Sequence, residues 1–238
     1  MSRLIGAELN GSHTEHPVVQ WQMESLSSDE FLKEPDEVRR ILVATRNCHK
    51  LREFSELLNQ NFELLGMEND FGVPQIEESG DTFESNALVK AEFTSAFFPY
   101  WVLADDSGLE VDALQGAPGV LSARFAGEKA TDAENRTLLL KRLEKLGVYG
   151  EQRTARFHCA LALAKNGRVV LTTSGTVEGI ITESESGTEG FGYDSIFRPA
   201  GYSKTFAELA SEIKNEISHR AQALRGIRSF LLEGCNYK

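Results

Sequence analysis

Apolar positions recur along the chain with two different periods, and the switches between them outline a fold. Ile41-Leu42-Val43-Ala44, between Arg39-Arg40 and Thr45, is a short unbroken apolar run of the kind that forms a buried strand. It breaks at Arg46-Asn47-Cys48, after which Leu51, Phe54, Leu57 and Leu58 fall on one face of a predicted helix. Phe62-Glu63-Leu64-Leu65 predicts the next strand. Asp81 and Glu84 have capping-box spacing, opening a helix predicted to turn Phe83, Ala87, Leu88, Ala91 and Phe98 inward. A further strand over 100–104 is predicted to end abruptly at Asp105-Asp106-Ser107-Gly108. Thr131 and Glu134 form a second capping box, before a helix with Leu139, Leu143 and Leu146 on one stripe and Gly147 at its close. Strand-like runs over 154–165 and 168–177 flank Asn166-Gly167, a strong hairpin signal. The last helix is predicted from near Ser218 to Gly234. Strands alternate with helices and a hairpin follows, which predicts an α/β fold with a mixed sheet. No internal repeat is visible.

Residues 1–38 stand apart. Ser27-Ser28-Asp29-Glu30 and Glu34-Pro35-Asp36-Glu37 are polar and acidic, and the scattered apolar residues keep no period. A loosely held extension is expected there, with a partner-contact arm or a true start at Met23 as the other readings. Residues 39–238 form the expected domain. At 238 residues and 41% hydrophobic, the chain can bury one sizeable core. No apolar run approaches the roughly 18 to 20 residues needed to span a bilayer, and 1–20 lacks a signal-like apolar stretch. Cys48, Cys159 and Cys235 have no CxxC spacing, which speaks against a disulfide framework or zinc site and suits a reducing cytoplasm. The net charge of -11 disfavours nucleic acid and anionic membrane as partners. A small polyphosphate could still bind where cations gather or a metal screens the charge.

Cations do gather at two helix starts. His49 and Lys50 open one predicted helix, and His219 and Arg220 another. A helix N-terminus disfavours cations unless an anion binds there, when exposed N–H groups and side chains act together. Surface charge at a misplaced boundary is the plainer alternative. Glu77-Glu78 and Asp105-Asp106 each precede Ser-Gly where an extended segment is predicted to meet a loop. Such carboxylates suit magnesium, which takes one or two of them with water and phosphate oxygens; a solvated acidic turn is the other reading. Between Gly187 and Gly192 the glycines could admit a ligand while Phe191 or Tyr193 stacks on a base, or form a plain loop beside core aromatics. Cys48, Cys159 and His158 read as structural. GxSxG, Walker and HExxH patterns are missing.

Taken in order, these segments resemble the inosine triphosphate pyrophosphatase family. The matching stretches are Leu42-Val43-Ala44-Thr45-Arg46-Asn47-Cys48-His49-Lys50-Leu51-Arg52-Glu53-Phe54, then Glu77-Glu78-Ser79-Gly80-Asp81-Thr82-Phe83-Glu84-Ser85-Asn86-Ala87. Ala104-Asp105-Asp106-Ser107-Gly108-Leu109-Glu110-Val111-Asp112 and Gly116-Ala117-Pro118-Gly119-Val120-Leu121-Ser122-Ala123-Arg124-Phe125-Ala126-Gly127 follow. Gly190-Phe191-Gly192-Tyr193-Asp194, Thr205-Phe206-Ala207-Glu208-Leu209 and Lys214-Asn215-Glu216-Ile217-Ser218-His219-Arg220 complete the set. The likeness runs from about residue 40 to the C-terminus. Arg46 departs from the usual glycine and Ser195 from the usual proline, and the N-terminal extension has no counterpart.

The resemblance implies an elongated two-lobed α/β fold with the active site in the cleft between lobes, and usually a homodimer. It implies magnesium-dependent hydrolysis of ITP, dITP, XTP and dXTP to the monophosphate and pyrophosphate. Thr45, Arg46, Asn47, Cys48, His49 and Lys50 would hold phosphates. Glu77 and Asp106 would bind Mg2+, Asp106 also serving as the catalytic base, with Ser107 beside it. Phe191, Gly192, Tyr193 and Asp194 would meet base and sugar, and Lys214, His219 and Arg220 would complete the pocket. The alternatives are a related diphosphatase acting on modified pyrimidine triphosphates and a nucleotide-binding regulator without turnover.

Overall fold

The computed structural model describes residues 39–58, 62–67, 76 and 80–233. The N-terminal extension, Cys235 and Glu77-Glu78 lie outside the described residues. Six strands form one mixed sheet in the order β2-β1-β3-β4-β5-β6: β1 Arg39–Val43, β2 Phe62–Gly66, β3 Trp101–Val111, β4 Thr154–Lys165, β5 Arg168–Ile181 and β6 Phe197–Pro199. The first three are parallel, and β3 to β6 are antiparallel. The helices are α1 Cys48–Leu58, α2 Phe83–Ser95, α3 Asp132–Lys145, α4 Ser211–Ile217 and α5 His219–Glu233. Among the described residues no helix is long and apolar enough to cross a membrane. The predicted hairpin joins β4 to β5, with Asn166 at φ 52° and Gly167 at φ 70°, the paired left-handed conformations of a tight hairpin turn.

The sheet buries both faces of β3. On one, Leu103 packs with Ile41, Val43, Phe54, Leu58 and Leu224 beneath α1 and α5. On the other, Val102 and Ala104 meet Phe83, Ala87 and Ala91 of α2, where alanines on three elements let the helix lie close. A third cluster around Leu109, Leu139, Phe157, Phe197 and Phe206 packs α3 onto the far end of the long strands.

Four local expectations are corrected. β3 does not stop before Asp105-Asp106; it continues to Val111, paired with β4 as far as Val111↔Ala155. Cations brought from other helices compensate the two acids inside the sheet, and a local pattern cannot show them. Leu88 points outward, 37% exposed, because the buried stripe of α2 carries Asn86 and Lys90 as well as Phe83, Ala87 and Ala91. Its capping box is Thr82 with Ser85 rather than Asp81 with Glu84. Leu146 lies past the end of α3 and is 56% exposed; Thr131–Glu134 does cap that helix, and Gly147 follows at φ 67°.

Candidate active site

β1 pairs with β3 only through Val43↔Leu103, and Ala44 N–H makes the last bond to Leu103 O at 2.8 Å. Beyond that point β1 has turned away while β3 runs on beside β4. A cavity of about 400 Å³ occupies this divergence, at the C-terminal end of a parallel strand, where ligands of α/β sheets collect. The volume is within the usual range for a small-molecule site.

The loop after β1 builds one end. Thr45 Oγ1 accepts Asn47 N–H at 3.1 Å, and Asn47 Oδ1 caps α1 by accepting His49 N–H at 2.9 Å and Lys50 N–H at 3.2 Å. Two of the helix N–H groups expected to face an anion are thus already committed to Asn47. The positive character of this end comes from side chains: Arg46 and Lys50 line the cavity beside Thr45 and Asn47. Cys48 is exposed on the first turn of α1 and does not line the cavity. His49 lies outside the lining too, its ring stacked on Phe191 at 5.2 Å and 14°.

Adjacent acids on β3 point to opposite faces, as the strand period requires. Asp105 is fully buried. Its carboxylate pairs with Lys50 and, at 3.3 Å, with Arg220 Nε. It also accepts Ser107 Oγ–H at 3.1 Å and Cys159 Sγ–H at 3.2 Å. Burial alone would raise its pKa, but Lys50 and Arg220 more than reverse this and hold the carboxyl well below the ordinary range. Asp106 faces α2. Asn86 Nδ2 donates to its Oδ2 at 3.0 Å, and Lys90 Nζ lies 3.3 Å from its Oδ1 while also donating to Asp105 O at 2.7 Å. Asn86 is itself fixed by Gly80, whose N–H it accepts at 2.9 Å.

From Asp105 a line of alternating charges crosses the floor of the cavity. Arg220, on the first turn of α5, bonds Asp105, Glu53 and, through Nη2 at 2.8 Å, Ser107 Oγ. Glu53 also accepts from Lys214 Nζ at 2.7 Å, and the same ammonium lies 2.7 Å from Asp194 Oδ2. Lys50, Arg220 and Lys214 are balanced by Asp105, Glu53 and Asp194. Arg220 and Lys214 have raised pKa values despite burial, because their carboxylates outweigh desolvation. Asp194 is shifted upward, by burial first; Lys214 opposes this and the nearby Glu53 adds to it.

Asp194 also shapes the other end. Its Oδ2 accepts Phe191 N–H at 2.9 Å, closing the turn that carries Phe191 and Tyr193. A Cβ on Gly190 would lie 2.1 Å from that oxygen, so this glycine makes room for a carboxylate rather than for a ligand. Phe191, Gly192 and Tyr193 line the cavity, and Lys214 Nζ lies 5.5 Å from the Phe191 ring centroid. Tyr193 donates its hydroxyl to Ser122 O at 2.8 Å. His219 is buried, stacked on Phe157 at 4.8 Å and 12°, and its Nδ1 has no hydrogen-bond partner among the described residues. Burial, with Arg220 beside it, drives its pKa well below the usual imidazole range, so it is neutral at physiological pH.

The expected residues of both loops, of β3 and of the segment around α4 and α5 therefore converge on one cavity, apart from Cys48 and His49 at its margin and Glu77 outside the described residues. Asp105, paired with Asp106 in the sequence as a carboxylate suited to magnesium, is instead committed to Lys50 and Arg220, while Glu53, Asn86, Lys90 and Asp132 are site residues for which the sequence reading gives no role. A signal existed for two of them: Asn86 and Lys90 occupy inward helical spacing, where an apolar residue is normally found. Among the described residues no three His, Cys, Asp or Glu gather as a metal cluster. Asp106 does offer hard oxygen to the cavity, which suits magnesium with a second carboxylate and phosphate oxygens.

Comparison with known proteins agrees with this architecture. The model of the Ham1 family matches residues 41–230. A protein of Bacillus licheniformis named dITP/XTP pyrophosphatase is 47% identical over 195 residues, covering 82% of this chain and 98% of that protein. One of the same name from Geobacillus kaustophilus is 49% identical over 188 residues, covering 79% and 91%. The structure of a HAM1 protein from Coxiella burnetii superposes with a TM-score of 0.73 at 42% identity, covering 82% of this chain and 99% of that one. The matched span takes in both loops, β3 and the paired cations of α4 and α5, and the chain belongs to the Ham1 family.

Proposed function

We propose that the chain hydrolyses non-standard purine nucleoside triphosphates, ITP, dITP, XTP and dXTP, to the nucleoside monophosphate and pyrophosphate. The proposal includes magnesium as the metal and a homodimer as the working form. The observation that carries it is the placement of Asp106 in one cavity between a cation-bearing loop and an aromatic loop. Relatives that share the whole domain bear the name dITP/XTP pyrophosphatase.

In this reading the triphosphate lies toward Thr45–Lys50 and the base toward Phe191–Asp194. Asp106 takes a proton from the attacking water as its oxygen bonds to phosphorus and the bond to pyrophosphate breaks. Lys90, 3.3 Å from Asp106, keeps that carboxylate oriented while Asn86 fixes its other oxygen. Magnesium, held by Glu77 and Asp106, would neutralise phosphate charge. Lys50, anchored by Asp105, presents a fixed cation to the developing negative charge without needing to reorganise.

Base choice follows from hydrogen-bond polarity. Lys214 gives two of its three hydrogens to Glu53 and Asp194, leaving a donor beside Phe191 for a 6-oxo group. Adenine presents an amino group at that position, and two facing donors leave both unsatisfied, a large penalty in a buried site. Guanine shares the 6-oxo group and must be rejected at its 2-amino group. The test is pyrophosphate release with magnesium across ITP, dITP, XTP, ATP, GTP and pyrimidine triphosphates. The first three are expected to be cleaved at least about a hundredfold more efficiently than ATP. Comparable kcat/KM for ATP and ITP would overturn the substrate assignment.

A further inference from the structure

One helix grips the tip of the aromatic loop by its backbone. Gly192, between Phe191 and Tyr193, donates its N–H to Asp132 Oδ2 at 2.7 Å, and its carbonyl accepts from Arg136 Nη1 at 2.7 Å. Asp132 and Arg136 are one turn apart on α3, so the same face supplies both. Gly192 has φ +60°, a conformation glycine adopts without strain. The grip extends further. Arg136 Nε lies 2.9 Å from Glu185 Oε2, and that oxygen also accepts Ser195 Oγ–H at 3.0 Å. A closed path thus runs from α3 through the loop, Ser195 and Glu185 back to α3.

Other bonds already give the loop its shape: Asp194 N–H to Phe191 O at 3.1 Å, and Phe191 N–H to the Asp194 carboxylate. Those bonds are internal and move with the loop. The α3 bonds are external, and together with Tyr193 Oη–H to Ser122 O and Lys214 to Asp194 they fix where Phe191 and Tyr193 stand relative to the cavity that Asp132 also lines. Both are charge-assisted, and such bonds are roughly twice as strong as neutral ones. Ser195, standing where the family pattern has proline, supplies through Glu185 a side-chain tie at that point.

We propose that Asp132 and Arg136 are positioning residues that set the base-binding loop at its working distance, with Glu185 and Ser195 locking Arg136 in place. The inference rests on the reading of Phe191 and Tyr193 as base contacts. Arg136→Ala is expected to raise KM for ITP about tenfold, and the inhibition constant of inosine monophosphate equally, with kcat changed less than about twofold. Inhibition by pyrophosphate, which has no base, stays unchanged. Arg136→Lys keeps the charge but serves one acceptor instead of two, and falls between. Ser195→Ala, which removes only a hydroxyl, tests the same path should Arg136→Ala fail to fold, with an expected rise in KM of about two- to threefold. Equal loss of affinity for inosine monophosphate and pyrophosphate, or a fall in kcat at constant KM, overturns the positioning role. A wild-type protein that binds inosine monophosphate no better than phosphate overturns the substrate reading as well, so the wild type and the variants separate the two failures.

Discussion

Asp105 and Asp106 are neighbours on one strand, yet their surroundings have little in common. On the Asp105 face two cations from two helices close on a fully buried carboxylate, and a thiol and a hydroxyl add their hydrogens. On the Asp106 face Lys90 and Asn86 meet the acid at the edge of the cavity. The first arrangement satisfies the charge completely and leaves it nothing to do but hold Lys50 and Arg220. The second holds a carboxylate still while the cavity keeps access to it. In the proposed function, a strand's two-residue period thus assigns structure to one acid and chemistry to the next.

The sharpest way to break this contrast is Asp106→Asn. Asparagine keeps the shape and can still pair with Asn86, but it cannot take a proton. Turnover is expected to fall about 10²- to 10⁴-fold, with a smaller loss of melting temperature than at Asp105, because Lys90 keeps its bond to Asp105 O. Retention of more than about a tenth of the wild-type rate with ITP would remove the general base from Asp106 and with it the functional half of the comparison.

Asp105→Asn should do the reverse. It leaves half-buried Lys50 and buried Arg220, which keeps Glu53, against a neutral group, and removing one partner of a buried pair typically costs about 3–5 kcal/mol. For a domain of this size that is roughly 10 °C in melting temperature. The pH dependence has a definite sign. Because Asp105 is held well below its ordinary value of 3.8, its contribution is complete above that value and fades as the pH falls from there toward the folded-state pKa. Wild-type melting temperature should therefore decline below about pH 4, and the variant should decline less steeply. Equal stability of variant and wild type at neutral pH would contradict the structural role.

The same pair shows what the sequence makes legible. Strands, helices, the Asn166-Gly167 turn and the mixed sheet follow from periodicity and turn chemistry, which are local. Asp105-Asp106 looked like a strand end because two acids in a central strand are locally unfavourable, and their compensation arrives from Lys50, Lys90 and Arg220, far apart in the chain. Glu53 escaped notice for the same reason: on α1 it resembles any helical surface acid until α4 and α5 fold over it. The apolar pattern alone places Leu88 inward, whereas Asn86 and Lys90 claim that face for the site. The candidate site residues are legible by resemblance and by charge placement, but the residues that hold them require the tertiary fold.

The smallest expected effect concerns the cation that the charge line leaves out. Lys50, Lys90, Lys214 and Arg220 each face a carboxylate. Arg46 lines the same cavity at its exposed rim and has no carboxylate partner among the described residues. A polyphosphate approaching a protein of net charge -11 meets repulsion at long range, and a rim cation offsets it locally. Arg46→Gly should therefore raise KM for a triphosphate roughly two- to fivefold at low ionic strength, leaving kcat and the melting temperature unchanged. The difference should vanish near 0.5 M salt, where the screening length shrinks to roughly 4 Å. Lys50→Ala offers the contrast: its cation sits in contact with buried Asp105, so its effect should persist at high salt. A salt-independent loss in Arg46→Gly would mean that Arg46 docks as tightly as Lys50, and the division between paired interior cations and an exposed rim cation would fail.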